Sequence, residues 1–478
     1  MAIASFSFLA FALVVILIYN AQPSVCWRKW ALLAANLGFL ATFSHSSLMF
    51  APLAAFLAFG YFSIRALQSS HRGAGFSWIV LGTVLAFVWL KKYTFVPGVS
   101  FLRFSYITVG LSYIFFRVMH LIIDANDESL GRRVDVISYL NFTLSFTTLV
   151  SGPIQRYPEF IEQHLAPVRQ PLTISEMGDG FERVIVGFFK VNVLGLMFST
   201  LQNRAINALS PNQPIMIGAL TGAAIAASYS IYLYFNFSGY TDMVIGISQF
   251  LRIRLPENFN RPFSADNFLE FWNRWHLTLS NWLKTYVYNP LLMAVMRRFP
   301  SASTAFLGVL AFFVTFFLIG LWHGQTSEFI FYGVLLGAGI SVNKLYQIQM
   351  TKTMGKKRYK ALCDNWIYQT VCRGLTFTFF SLSLLWFWSN WTQLRAFARC
   401  FHSGEMGLAW ITLFVGASTI LAAWEAAREC LLSIRFHSRP VLLSRYIRTA
   451  WATALAVVAV ATMMLLSTPA PDVVYKAF

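Results

Sequence analysis

Apolar residues in this chain gather into long blocks, separated by short stretches rich in charge, proline or glycine. The blocks fall near 3–19, 30–43, 48–64, 76–90, 104–123, 138–150, 181–200, 214–235, 237–251, 305–322, 328–346, 366–388, 406–427 and 446–467. A helix rises 1.5 Å per residue, so crossing a hydrocarbon core of about 30 Å takes roughly twenty apolar residues. Several blocks are shorter than that. They read as re-entrant or broken segments, which survive at membrane depth only where protein or a water-filled cavity surrounds them. The pattern predicts an all-α, polytopic helical membrane protein with roughly eleven to thirteen membrane helices. A β-barrel would instead show short alternating segments. No basic residue precedes the first block, so it reads as a span that stays rather than a cleaved leader. Arg28 and Lys29 follow it and argue for an outside N-terminus and a cytoplasmic first loop.

Composition agrees. Of 478 residues, 57% are hydrophobic and only 12% charged, about half the usual charged share of a soluble domain. The formal charge of +18 could point to nucleic acid. Its distribution does not: the basic residues sit in short loops such as "TKTMGKKRYK" (351–360), the arrangement of positive-inside topology and of contact with anionic head groups. No nucleic-acid partner is expected. Five cysteines (Cys26, Cys363, Cys372, Cys400, Cys430) lack paired spacing and read as buried small side chains rather than disulfides. No linker or soluble domain is visible. No internal repeat is evident either, which weighs against an inverted-repeat transporter.

One region breaks the pattern. From 236 to 290 polar density rises while the aromatics stay. Pro256 and Pro262 bracket an irregular turn, Asp266 or Asn267 can cap the next helix with Glu270 in its first turn, and Pro290 should end it. On a helix over 267–288, Asn273, His276, Ser280 and Lys284 share one face, with Trp272, Trp275, Leu279 and Trp282 far around it. Such a stripe either lines a wet cavity or lies at the interface. The structural alternative for His276 is a hydrogen bond to a neighbouring helix.

Further on, "FFLIGLWHGQTSEF" places His323 at the end of an apolar run, between Gly320 and Gly324. Ionisable groups at membrane depth are costly and mark functional paths, and the glycines remove bulk where a substrate could approach. The alternative is a structural histidine at a helix junction. Asp242 also lies in an apolar block. It calls for a partner, with an arginine of "FLRIRLPENFNR" as the expected one. There is no GxSxG, phosphate loop, HExxH or GxGxxG, and the histidines are too scattered for a metal site.

"FSGYTDMVIGI", "LPENFNRPF", "EFWNRWHLTLSNWL" and "IGLWHG", in this order, resemble the membrane-bound O-acyltransferase family. So do "GLSYIFFRVMHLIID", "LVSGPIQRYPEF" and "ERVIVGFFKVNVL" upstream. The bacterial branch of alginate O-acetylation and D-alanyl transfer is the nearest in motif. The resemblance covers about 110–343 and implies one integral-membrane acyltransferase domain over 1–478, built around a central tunnel. It implies His323 and His276 as the signature histidines and catalytic residues, His323 being the presumed base. Two positions depart from the family pattern: Ser327 stands where a tryptophan is usual, and Leu336-Gly337 replaces a His-Gly. Asp242 in "GYTDM" looks like the alginate type, whereas Asn273 in "NRWH" looks like the D-alanyl type.

The implied reaction carries an acyl group from a cytoplasmic thioester, acyl-CoA or acyl carrier phosphopantetheine, to hydroxyls of an extracytoplasmic polysaccharide, with no bound cofactor. Acetyl is the first expectation and D-alanyl the alternative. A neutral imidazole can take the alcohol's proton during attack, worth roughly 10²–10⁴-fold. Donors for the oxyanion would come from Asn273, His276, Lys284 or Trp322, with Trp275, Ser280 and Asp242 as further tunnel-lining candidates. The expected setting is a bacterial cytoplasmic membrane, with periplasmic or cytoplasmic partner proteins of an acylation operon. The rival readings are a transporter of an acyl or lipid-linked substrate, a non-catalytic scaffold, and a lipid acyltransferase using CoA.

Overall fold

The computed structural model describes residues 4–69, 75–96, 102, 104, 106–402, 404–436, 439–440 and 444–466. The outermost positions of the first and last expected spans, 3 and 467, lie outside these residues. In chain order the helices are α1 (Phe6–Asn20), α2 (Val25–Ala41), α3 (Ala51–Ser69), α4 (Phe76–Lys91), α5 (Leu111–Asn126), α6 (Val136–Thr143), α7 (Tyr157–His164) and α8 (Ile174–Phe189). A π turn (Lys190–Gly195) joins α8 to α9 (Leu196–Ala208), and α10 (Ile215–Phe250) follows. Then come α11 (Phe268–Trp272), α12 (Leu277–Leu283), a second π turn (Lys284–Tyr288), α13 (Asn289–Arg298), α14 (Thr304–His323), α15 (Ser327–Met354) and α16 (Lys356–Cys363). The chain ends through α17 (Trp366–Ser383), α18 (Leu385–Trp388), α19 (Trp391–Cys400), α20 (Glu405–Ser433) and α21 (Arg445–Leu466). Among the described residues, eight helical segments are long and apolar enough to cross a membrane, and α1 and α4 are shorter apolar helices. This is a multi-pass helical membrane protein.

Two expected spans, 214–235 and 237–251, are one helix, α10, of 36 residues. The polar and small residues around their junction do not break it. Thr241 Oγ1 bonds the Phe237 carbonyl at 2.9 Å. Gly239 lies so close to α8 that a Cβ there would meet the Gly187 carbonyl oxygen at 2.7 Å. Conversely, the block 138–150 is helical only as far as Thr143. Arg117 from α5 collects the carbonyls this early ending exposes: Nη1 bonds Phe142 O (3.1 Å) and Thr143 O (2.8 Å), and Nη2 bonds Thr148 O (2.7 Å). A buried cation thereby satisfies a broken helix end that lipid could not.

The chain divides into two compact units. The first comprises 1–192, 236–257 and 455–478. Within it α2 and α6 run side by side, joined by Lys29–Asp135 (3.2 Å) and by Asn36 Nδ2 to Asn141 Oδ1 (3.2 Å). Tyr139 on α6 donates to the Leu57 carbonyl of α3 at 2.8 Å. The second unit comprises 193–235 and 258–454. Its centre is the α14/α15 hairpin. Here Gly333 and Gly337 face the carbonyls of Phe317 and Phe313, where added Cβ atoms would stand 2.6 and 2.8 Å from the oxygens.

The cysteines differ from expectation. Cys26 and Cys430 are exposed, the other three are half-buried, and none is in a disulfide. Positions in a membrane helix need no burial in protein to be apolar, because lipid serves the same end.

Candidate active site

The helix expected over 267–288 is interrupted at the residue that mattered most. Asn267 caps α11, its Oδ1 accepting Glu270 N–H at 2.8 Å. After Trp272 the chain turns, and His276 takes left-handed backbone angles (φ 47°, ψ 51°) before α12 begins. Antiparallel pairing with the segment after Pro256 causes the break. Asn260 N–H bonds Arg274 O (2.9 Å), Leu277 N–H bonds Asn258 O (3.0 Å), and Phe259 bridges Trp275. Pro290 does not end the helix either. It is the second residue of α13, which follows the π turn directly. The π turn before it accommodates a residue with no N–H to donate.

The break divides the expected stripe. Asn273, Ser280 and Lys284 line one cavity of about 220 Å³ together with Trp272, Tyr288 and the α14 residues Phe312, Thr315, Phe316 and Ile319. Trp272, placed by sequence on the far side of the helix, therefore shares the cavity. Among the described residues its indole N–H is buried without an acceptor. Lys284 is the one basic residue in the lining. A π turn widens the helix at that position, a distortion frequent at functional sites.

His276 is not among the lining residues. It is fully buried, with Nδ1 3.3 Å from Asn258 Oδ1. The same oxygen accepts Thr278 Oγ1–H at 2.6 Å and Thr278 N–H at 3.3 Å, so the hydrogen on that histidine contact belongs to Nδ1. One partner of His276 is thus a loop residue. Trp275 is buried in an aromatic cluster with Phe271 (ring centroids 5.5 Å apart), Phe259 (5.1 Å) and Phe380 (5.0 Å).

His323 is the last residue of α14 and is 3% exposed. Rings of Trp322 (4.8 Å), Phe387 (5.1 Å) and Tyr332 (5.8 Å) surround it. Phe312, Phe316 and Ile319 precede it at helical spacing, so the face of α14 that walls the cavity is the face that ends at His323. From Ile319 to His323 the rise along the axis is about 6 Å. The flanking glycines serve packing rather than substrate access. A Cβ on Gly320 would overlap Gly333 of α15, and one on Gly324 would overlap the Phe329 ring. Sequence inspection missed Trp272 and Phe387. The first was assigned to the wrong side of an unbroken helix, and the second comes from a distant part of the chain.

Asp242 belongs to the first unit. Its partners are Arg183 (Nε to Oδ1, 3.1 Å) and Lys190 (Nζ to Oδ2, 2.7 Å), and Arg183 also makes a two-pronged contact with Glu257. The expected arginine of the 250–261 stretch is not the partner. Arg183 and Lys190 stand seven residues apart on the helix packed against α10 through Gly187, so both reach the same carboxylate.

Residues 84–385 match the model of the membrane-bound O-acyltransferase family. The chain is 30% identical over 286 residues to the teichoic acid D-alanyltransferase of Bacillus subtilis, covering 58% of this chain and 69% of that protein. It is 30% identical over 236 residues to a probable alginate O-acetylase of Pseudomonas aeruginosa (49% and 42%). It is 35% identical over 212 residues to a peptidoglycan O-acetyltransferase of Helicobacter pylori (44% and 38%). It thus spans less than half the length of the last two. An aromatic-walled histidine, not itself a lining residue of the cavity, ends the helix whose preceding turns line it, inside a stretch that carries the family's pattern. The chain is a multi-pass membrane acyltransferase and belongs to the membrane-bound O-acyltransferase family.

Proposed function

We propose that this enzyme moves an acyl group, acetyl by preference, from a cytoplasmic thioester to hydroxyls of an extracytoplasmic cell-envelope polysaccharide. The donor is acyl-CoA or an acylated carrier phosphopantetheine, and the setting is a bacterial cytoplasmic membrane. The observation that carries the reading is the α14 face running from the cavity wall at Phe312, Phe316 and Ile319 to the imidazole of His323. Relatives named for teichoic acid, alginate and peptidoglycan support an envelope acceptor.

In the reaction the acceptor oxygen bonds to the thioester carbonyl carbon while His323 takes the hydroxyl proton. The C–S bond then breaks, and the departing thiolate receives that proton from the imidazolium. The surrounding rings exclude water, which would otherwise compete as acceptor. His276 acts as a positioning residue that fixes the turn between α11 and α12, and Asn273, Ser280, Lys284 and the Trp272 N–H supply polar contacts to the donor. Lys284 favours an uncharged or anionic group in the cavity over the ammonium of a D-alanyl thioester, since like charges repel. D-alanyl transfer remains the second reading, because a relative of that name matches 286 residues of this chain.

The test is mass analysis of envelope glycans from a deletion strain complemented with wild type, His323→Ala or His323→Gln. Loss of the acyl ester with both variants correctly inserted is the expected result. Normal acylation with either variant overturns the assignment. The mass of the lost group separates acetyl from D-alanyl.

A further inference from the structure

A second cavity lies in the first unit, away from any residue assigned a chemical role above. It is a groove of about 580 Å³ between α2, α3 and α6. Leu40, Leu53, Leu57 and Tyr139 form a buried floor, and Leu37, Phe62 and Val136 form an exposed rim. Every lining side chain is aliphatic or aromatic. Along α3 the lining runs from Leu53 to Phe62, which is about 14 Å of helix, close to one leaflet of a hydrocarbon core about 30 Å thick.

One end of the groove is basic. The α3 stripe that lines it through Ala54, Ala58 and Tyr61 continues, one turn on, to Arg65. The loop leading into α6 adds Arg132 and Arg133, both exposed. Gln68 pins that loop to α3: its Nε2 donates to Arg132 O (3.0 Å) and its Oε1 accepts Val134 N–H (3.2 Å). The carboxylate next in the loop, Asp135, is already engaged, capping α6 at Ser138 N–H (3.0 Å) and pairing with Lys29. Among the described residues no carboxylate pairs with Arg65, Arg132 or Arg133.

We infer that this groove is a binding site for one anionic bilayer phospholipid, with an acyl chain along α3 and the phosphate between Arg65, Arg132 and Arg133. An apolar slot about one leaflet long, ending in cations that no described carboxylate pairs with, matches both halves of such a molecule. A zwitterionic lipid would fill the slot but gain less from the cations. A transmembrane helix of another protein would gain nothing from them.

The full chain in detergent is exchanged into mixed micelles of phosphatidylglycerol or phosphatidylcholine with the same acyl chains, and retained lipid is counted by native mass spectrometry. Wild type should retain phosphatidylglycerol preferentially. Arg132→Gln with Arg133→Gln should lower that retention by roughly tenfold or more. Ala58→Trp, an exposed position in the groove, should abolish retention with the arginines intact. Lys356→Gln with Lys357→Gln, on exposed α16, should leave it unchanged. Equal retention of the two lipids, or equal loss in the α16 control, overturns the inference. So does a bound polypeptide, or a second copy of the chain, that Ala58→Trp displaces.

Discussion

Gly320 on α14 and Gly333 on α15 touch backbone to backbone, leaving no room for a Cβ at position 320. The contact stands one turn before His323 and fixes how the end of α14 meets its neighbour. Gly320→Ala is therefore expected to destabilise the protein by about 1–3 kcal/mol through overpacking, and to lower acylation more than that loss explains, since His323 moves with the helix. Thermal unfolding in detergent and envelope ester content, measured on one preparation, check this. An unchanged melting temperature would refute the close approach.

Asn258 and His276 form the second sensitive pair. Asn258→Ala leaves three donors of the α11/α12 turn without their shared acceptor, at a cost of about 1–3 kcal/mol. Activity should fall although His323 and the cavity residues are intact. Full activity in this variant would show that the turn's geometry is irrelevant to the reaction.

Asp242→Asn strips the partner from both Arg183 and Lys190 and should cost about 2–4 kcal/mol, because two half-buried cations lose their counter-charge. Glu257 is half exposed, and Glu257→Gln should cost below about 1 kcal/mol. Equal melting-temperature shifts for the two variants would contradict the hierarchy.

His164 gives a pH signature. Tyr19 Oη receives a bond from Arg169 (2.6 Å) and lies 3.0 Å from His164 Nδ1, within hydrogen-bond reach of the imidazole. Burial first, and then the nearby Arg169 and Arg28, lower its pKa to about 3. The unfolded chain then binds the proton more readily. The stabilising contribution is complete above pH 6.5 and declines as pH falls towards 3, by up to about 1.4 kcal/mol per pH unit. His164→Gln should flatten that part of the stability profile; an unaltered slope would disprove the assignment.

Lys284→Ala should raise the donor concentration needed for half-maximal acylation several-fold while leaving folding intact, since Lys284 is exposed at the cavity. Lys284→Glu should raise it further for an anionic donor. A change confined to the maximal rate would place the lysine at the reacting carbon instead.

The long apolar helices were legible in the sequence because lipid imposes one requirement, a long apolar run, that local composition reveals, whereas α7, α13, α16 and α19 fall outside every apolar block. What stayed hidden depends on distant partners. The turn at His276 is made by Asn258 and Asn260, whose pairing with 274–277 leaves no periodic trace. Asp242 finds its cations 52 and 59 residues upstream, although the spacing of Arg183 and Lys190 on one helix face was a usable clue. The glycines beside His323 were correctly seen as places of close approach, but what approaches them is the protein's own chain.

The single oxygen of Asn258 that holds the start of α12 has a practical corollary for building hybrids. A transplant that moves only the 267–288 stretch between related enzymes would separate a lock from its key. The smallest portion that can travel intact begins at 258, and swaps cut there should give active chimaeras where shorter ones fail.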